Sequence, residues 1–102
     1  MSVEGKLSAK IEHLVQQLDL ENWVVAQIKT YQDQYPEGII FEDLLILIIN
    51  HLNEINRSDL TTNKYPAHLL RIALLNPLDL GRIEFTNHRR YKYQEYSGPL
   101  TR

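Results

Sequence analysis

The sequence contains no cysteine, and only four glycines and four prolines occur among its 102 residues. Without cysteine the chain has no disulfides, no thiolate nucleophile and no sulfur ligands for zinc. The glycines are scattered, so there is no glycine-rich phosphate loop. The longest unbroken apolar run is Leu44 to Ile49, which is far shorter than the roughly 20 residues that a membrane-spanning helix needs.

The first residues are polar and lack the apolar segment of a secretory signal, so we expect a soluble, cytoplasmic protein. Hydrophobic residues make up 43% of the chain and charged residues 24%, which is typical of a globular protein. A length of 102 residues suits one domain. We place that domain at residues 1–96 and predict a flexible tail at residues 97–102.

Charge is divided unevenly along the chain, although the net charge is only −2. Residues 1–56 carry nine acidic and three basic side chains, a formal charge of −6. Residues 57–102 carry eight basic and four acidic side chains, a formal charge of +4, and contain all six arginines. This asymmetry indicates an anionic partner for the second part. The alternative is that the two parts neutralise each other within one molecule or across a dimer.

Periodicity predicts two helices at the start of the chain. Apolar residues at helical spacing run from Leu7 to Leu18 and predict the first helix. Asp19 is the predicted N-cap of the second helix, which Pro36 and Gly38 should end.

The apolar centre of the chain is the segment from Phe41 to Ile55. A buried strand is the alternative for its short apolar run, but helical spacing continues past the run and favours a helix. Because Leu44 to Ile49 leaves no polar side, we expect burial on several sides and homodimerisation through this helix. The residues assigned to this core or dimer interface are Leu44, Leu45, Leu47, Ile48, Ile49 and Leu52.

After a polar connection, Pro66 begins a fourth predicted helix, which Asn76-Pro77 should end. Beyond Gly81 the period changes to two, which predicts a β-hairpin at residues 82–96. Asn87 is the predicted left-handed residue of its loop.

The predicted fold is therefore mainly α, of the α+β class, with four helices followed by a C-terminal hairpin. In element order it resembles a winged-helix domain. That resemblance implies that the helix beginning at Pro66 enters the DNA major groove and that the hairpin forms the wing.

The hairpin loop is rich in positive charge, with tyrosines between the charged residues. Arginine and lysine bind phosphate or carboxylate oxygens, and tyrosine stacks or donates a hydrogen bond. We therefore predict a non-enzymatic regulatory binding module for an anionic partner, most specifically DNA. The alternative is a protein–protein adaptor or homodimeric scaffold whose hairpin binds an acidic protein surface. The predicted binding residues are Lys64, Arg71, Arg82, His88, Arg89, Arg90, Tyr91, Lys92 and Tyr93.

An ordinary solvated ribbon, whose charges only discourage aggregation, explains the same hairpin without any partner. Enzymatic function has little support, because the four histidines form no HExxH motif. His51 and Glu54 make a single pair at helical spacing, which is most often a surface contact. We therefore predict no catalytic residue, metal ligand or cofactor.

Overall fold

The computed structural model describes residues 3–94, with side chains from residue 9 onward. Its α-helices are α1 (Val3–Gln17), α2 (Leu20–Thr30), α3 (Phe41–Glu54) and α4 (Tyr65–Asp79), and a 3₁₀ turn covers Ser58–Thr61. Its strands are β1 (Ile39–Ile40), β2 (Ile83–Phe85) and β3 (Arg90–Tyr93). They form an antiparallel sheet in the order β1-β3-β2.

The predicted mainly helical α+β fold with four helices and a hairpin is confirmed, and a third strand joins the hairpin. We call β2, β3 and the turn between them the ribbon. Residues 95 and 96 of the predicted hairpin and the predicted tail at 97–102 lie outside the described residues. The domain boundary at residue 96 therefore stays a prediction.

Helix α4 is the central element of the helical body, because it contacts α1, α2 and α3. Its residues Leu69, Leu70, Ala73 and Leu74 are buried in the core formed by these helices. Burial of large aliphatic side chains is the main stabilising contribution in such a body, at about 1.5–3 kcal/mol for each. On another side of α4, Arg71 and Leu75 are exposed and line a space that lies between α4 and the ribbon.

Helix α3 is amphipathic. Leu44, Ile48 and Leu52 are fully buried within a single chain, so the core needs no second copy to enclose them. Ile46 is 59% exposed, and the expectation of burial around the whole apolar run is therefore wrong at this position. The other residues of the predicted core or dimer interface are half-buried: Leu45, Leu47 and Ile49. Homodimerisation stays a prediction.

The end of α4 differs from its prediction, because the helix runs through Asn76 and Pro77 to Asp79. Proline lacks the N–H of one helical hydrogen bond, but Pro77 lies in the last turn and its ring is fully buried. The chain then leaves the helix at Gly81, which has a φ of 74°. There the N–H groups of Gly81 and Arg82 donate to carbonyls of the last turn, a Schellman pattern that leads directly into β2.

The boundaries of α2 also differ from prediction. Asp19 occupies the N-cap position, but its backbone is left-handed, with a φ of 53°, and its carboxylate caps no backbone N–H. Instead it accepts a hydrogen bond of 3.0 Å from the side chain of Asn22. The helix ends at Thr30, ahead of the predicted stop at Pro36, and turns fill the interval.

Strand β1 attaches the ribbon to the helical body. Ile39 pairs with Tyr91 and Ile40 pairs with Arg90, so β3 lies between β1 and β2. Gly38, just before β1, has a φ of 107°, and a Cβ there would lie 2.8 Å from the Cβ of Arg90. Nη1 of Arg90 donates a hydrogen bond of 3.1 Å to the Gly38 carbonyl. Glycine is therefore required for this close approach.

Replacing Gly38 with alanine should destabilise the protein more than the same change at Gly81. Both positions have positive φ, which costs a residue with a Cβ roughly 1–2 kcal/mol. A Cβ added at Gly38 would also clash with β3, whereas nothing lies within 4 Å of a Cβ added at Gly81. We expect losses of about 2–4 kcal/mol at Gly38 and about 1 kcal/mol at Gly81 in urea denaturation. Equal losses would contradict the packing of Gly38 on β3.

Candidate partner-binding groove

A surface groove of about 510 Å³ lies between α4 and the ribbon, and the start of α3 closes one end. We call it the α4–ribbon groove. It brings together four of the predicted binding residues: Arg71, His88, Arg89 and Tyr91. Its other lining residues are Ile40, Phe41, Glu42, Leu74, Leu75, Leu78 and Phe85.

The floor of the groove is apolar and in part exposed. Leu75 on α4 is 55% exposed, and Phe85 on β2 is 50% exposed. The ring of Phe85 packs against that of Tyr91 with 4.8 Å between centroids. Two large apolar side chains from different elements therefore expose surface in the same groove. A partner that covers this apolar surface would remove it from water, which favours binding.

Arg71 projects from α4 and lies over an aromatic ring. Its guanidinium carbon lies 5.2 Å from the ring centroid of Phe41. Arg71 also acts on Tyr91: burial raises the pKa of the Tyr91 hydroxyl, and the positive charge of Arg71 opposes that rise. A cation held over a ring face retains its full charge. Arg71 is thus oriented toward the groove without being neutralised.

The turn of the ribbon supplies the other cations. The Thr86 hydroxyl accepts hydrogen bonds of 3.2 Å from the N–H groups of both His88 and Arg90. Arg89 has a φ of 62°, so the prediction that Asn87 takes the left-handed conformation is wrong. The loop has three residues with the left-handed position last, a common hairpin geometry in which glycine is usual. Here an arginine occupies that position and lines the groove.

The remaining charges of the ribbon lie elsewhere. Alternate residues of a strand point to opposite faces, so Arg90 and Lys92 lie on the face opposite to Tyr91. Arg90 is bonded to the Gly38 carbonyl. Lys92 lies directly across from Glu84 in the strand register. The structure therefore separates these two residues from the groove, and Arg82 does not line it either.

Two further predicted binding residues, Tyr93 and Lys64, lie outside the groove. The backbone N–H of Tyr93 donates 3.1 Å to the side-chain oxygen of Gln32, and Lys29 lies 5.4 Å from the centroid of the Tyr93 ring. These contacts hold the ribbon against α2. Lys64 precedes α4 and lines a separate surface cavity of about 590 Å³ with Tyr65 and His68.

The arginines that line the groove form no ion pair with any described carboxylate. Among side chains 9–94, the ion pair is between Arg57 and Asp59, at 3.1 Å, and its hydrogen bond lowers the pKa of Asp59. No described carboxylate pairs with Arg71 or Arg89. Glu42 is the carboxylate that lines the groove with them.

Sequence reasoning missed the apolar half of the site. Leu75 and Leu78 were indistinguishable from the core residues of α4, and Phe85 alternates with buried Ile83 in the same way as a core residue would. The sequence pattern around Phe41 did not predict that its ring would lie beside Arg71. These contacts depend on how the ribbon docks on α4, which the pattern of either element alone does not contain.

In residues 3–94 no helix has the length and apolarity required to cross a membrane. The described acidic and histidine side chains form no group of three able to hold a metal ion. The chain matches no family model, and comparison with curated proteins and with solved structures finds no match.

Replacing Arg89 with asparagine should stabilise the protein, because asparagine tolerates the left-handed conformation better than arginine. We expect a gain of about 0.5–1 kcal/mol in urea denaturation. The matched control is His88→Asn in the same turn, where φ is not positive and no gain is expected. A loss of stability in Arg89→Asn would contradict the turn geometry.

Proposed function

We propose that this chain is a non-catalytic binding module that engages an anionic partner at the α4–ribbon groove. The observation that carries the proposal is the convergence of Arg71, His88 and Arg89 on one opening from two different elements. Within the described residues none of them is paired with a carboxylate. An anion bound there would face two full charges and one titratable charge against the single carboxylate of Glu42.

The position of these charges supports the proposal further. Arg71, His88 and Arg89 are all exposed, so an anion can reach them from solvent and is attracted by their summed positive charge. The Arg71 guanidinium is held over the Phe41 ring, so less of its conformational entropy is lost when a partner binds. For Arg89 the hydrogen-bonded turn fixes the backbone.

The DNA version of this proposal has one specific observation in its favour. The order α2, β1, α3, α4, β2, β3, with β3 between the other two strands, resembles the arrangement of winged-helix domains. In that resemblance α4 is the helix that enters the major groove and the turn at residues 86–89 is the wing. Because a duplex is larger than the groove, Arg71 and Arg89 would contact phosphates at the groove, and Lys64 and Lys92 would contact phosphates outside it.

The acidic-protein version has a different observation in its favour, namely the exposed apolar floor at Leu75 and Phe85. A protein segment buries such side chains, and its carboxylates pair with the arginines at the rim. Both versions require the same unpaired cations, so a single experiment tests what they share.

Binding of anionic probes should depend on the groove arginines and on salt. The probes are a fluorescein-labelled DNA duplex and labelled polyglutamate, titrated with the protein at two salt concentrations. We expect one of them to bind, and to bind more weakly at higher salt, because counterions screen or replace the contacts. For DNA with about four neutralised phosphates, the slope of log K against log salt should be about −3.6.

The double variant Arg71→Ser with Arg89→Ser should bind at least tenfold more weakly and, for DNA, reduce that slope by about two. Arg57→Ser is the matched control, since Arg57 is already paired with Asp59. The proposal would be refuted if neither probe binds. It would also be refuted if the loss of affinity per arginine removed is the same in the double variant and in Arg57→Ser.

A further inference from the structure

We infer that the partner of the α4–ribbon groove is an acidic amphipathic helix of another protein, whose apolar side covers Leu75 and Phe85. This inference rests on the proposed function and narrows the anionic partner to one class. It is carried by the combination, in one groove, of an exposed apolar floor with a cationic rim. Each of these features requires a different part of the partner, and an amphipathic acidic helix has both.

The apolar floor distinguishes between a protein and a nucleic acid. The surface of a DNA duplex consists of phosphates, sugars and polar base edges, and the thymine methyl is its main apolar group in the major groove. Covering both Leu75 and Phe85 with such a surface would leave little of their area in apolar contact. A protein helix offers leucine or phenylalanine side chains for the same area, which is how apolar grooves bind helical partners.

The shape of the site distinguishes between a helix and an extended strand. An extended segment binds by adding to a free sheet edge. The two edge strands are β1 and β2, which are only two and three residues long, so neither offers a long edge for strand addition. From Arg71 to Leu78 the α4 wall of the groove extends about 10 Å, which corresponds to about two turns of a bound helix. Apolar residues at i and i+4 of the partner would both reach the floor.

The positions of the two arginines indicate that the partner carries negative charge on both sides of its apolar stripe. Arg71 lies on the α4 side and Arg89 on the ribbon side, so carboxylates on both flanks of the partner's apolar stripe find a guanidinium. Arginine and carboxylate form paired hydrogen bonds of favourable geometry. Glu42 at the start of α3 opposes a carboxylate at that end, where a neutral or basic residue of the partner fits better.

The experiment uses synthetic peptides of about 18 residues in fluorescence anisotropy, a length at which an isolated helix begins to form in water. The test peptide carries leucine and phenylalanine on one side of a helix and glutamate on the other. Three comparison probes are a peptide of the same composition in scrambled order, the test peptide with lysine in place of glutamate, and a DNA duplex. We expect the test peptide to bind at least fivefold more tightly than either comparison peptide.

Variants of the protein then locate the contact. Leu75→Ser should weaken binding of the test peptide at least fivefold, because it removes apolar area from the floor. Its matched control is Ile46→Ser, a similarly exposed aliphatic residue on α3 that does not line the groove. Arg89→Ser should weaken binding, and Lys92→Ser, on the opposite face of the ribbon, should leave it unchanged. Circular dichroism of each variant checks that the fold is retained.

The outcomes separate this inference from the proposed function. DNA binding that Lys92→Ser weakens and Leu75→Ser does not would overturn the helix inference and keep the anionic partner. Equal binding of the scrambled peptide would also overturn the inference, since one-sided order would then be irrelevant. Equal binding of the lysine peptide, or failure of both the acidic peptides and the DNA duplex to bind, would overturn both proposals.

Discussion

The pairing of β3 with β1 is the constraint on which the candidate site depends. Without it, β2 and β3 would form a two-stranded hairpin, which is marginally stable alone and would be held only by its contacts with α2 and α4. The pair is only two residues long, but Gly38 extends it by letting the backbone approach β3 closely and by accepting a hydrogen bond from Arg90. The ribbon is thereby fixed beside α4, and one groove forms where two unrelated elements meet.

The site also contains features that do not stabilise the free protein. Arg89 has a left-handed backbone, and Leu75 and Phe85 expose large apolar surfaces. Unpaired like charges close to one another add a modest repulsion. Such features also occur elsewhere in the described chain, since Asp19, Asn56 and Asn63 have positive φ and Leu80 is 72% exposed. At the groove a left-handed backbone and two exposed large apolar side chains lie together, as expected for a site shaped for binding.

The sequence predicted the elements better than their junctions. Helical spacing in α1, α2, α3 and α4 and the change of period after Gly81 depend on local patterns, and the structure confirms these elements. Strand β1 was missed because its two β-branched isoleucines run directly into an apolar helix, and helical spacing outweighed the strand alternative for this segment. The continuation through Pro77 depends on tertiary burial of its ring, and the left-handed position at Arg89 depends on the hydrogen bonds of the Thr86 hydroxyl.

The candidate site was predicted in part. Positive charge concentrated near the turn identified Arg89 and His88, since such clustering is visible in one dimension. It did not reveal that Arg90, bonded to Gly38, and Lys92, opposite Glu84, lie away from the groove. Alternation along β3 separates the two groups, but only the docking of the ribbon on α4 decides which face carries the groove.

The most direct test of this account is a nuclear Overhauser measurement on the free protein, because it reports how the ribbon is fixed. We expect cross-peaks between the backbone protons of Ile39 and Tyr91, and between the side chain of Arg71 and the ring of Phe41. Cross-peaks between Phe85 and Tyr91 should accompany them. If the contacts within the ribbon appear while those from Tyr91 to Ile39 are absent, β3 is not paired with β1 in the free protein, and the account of how the groove forms is contradicted.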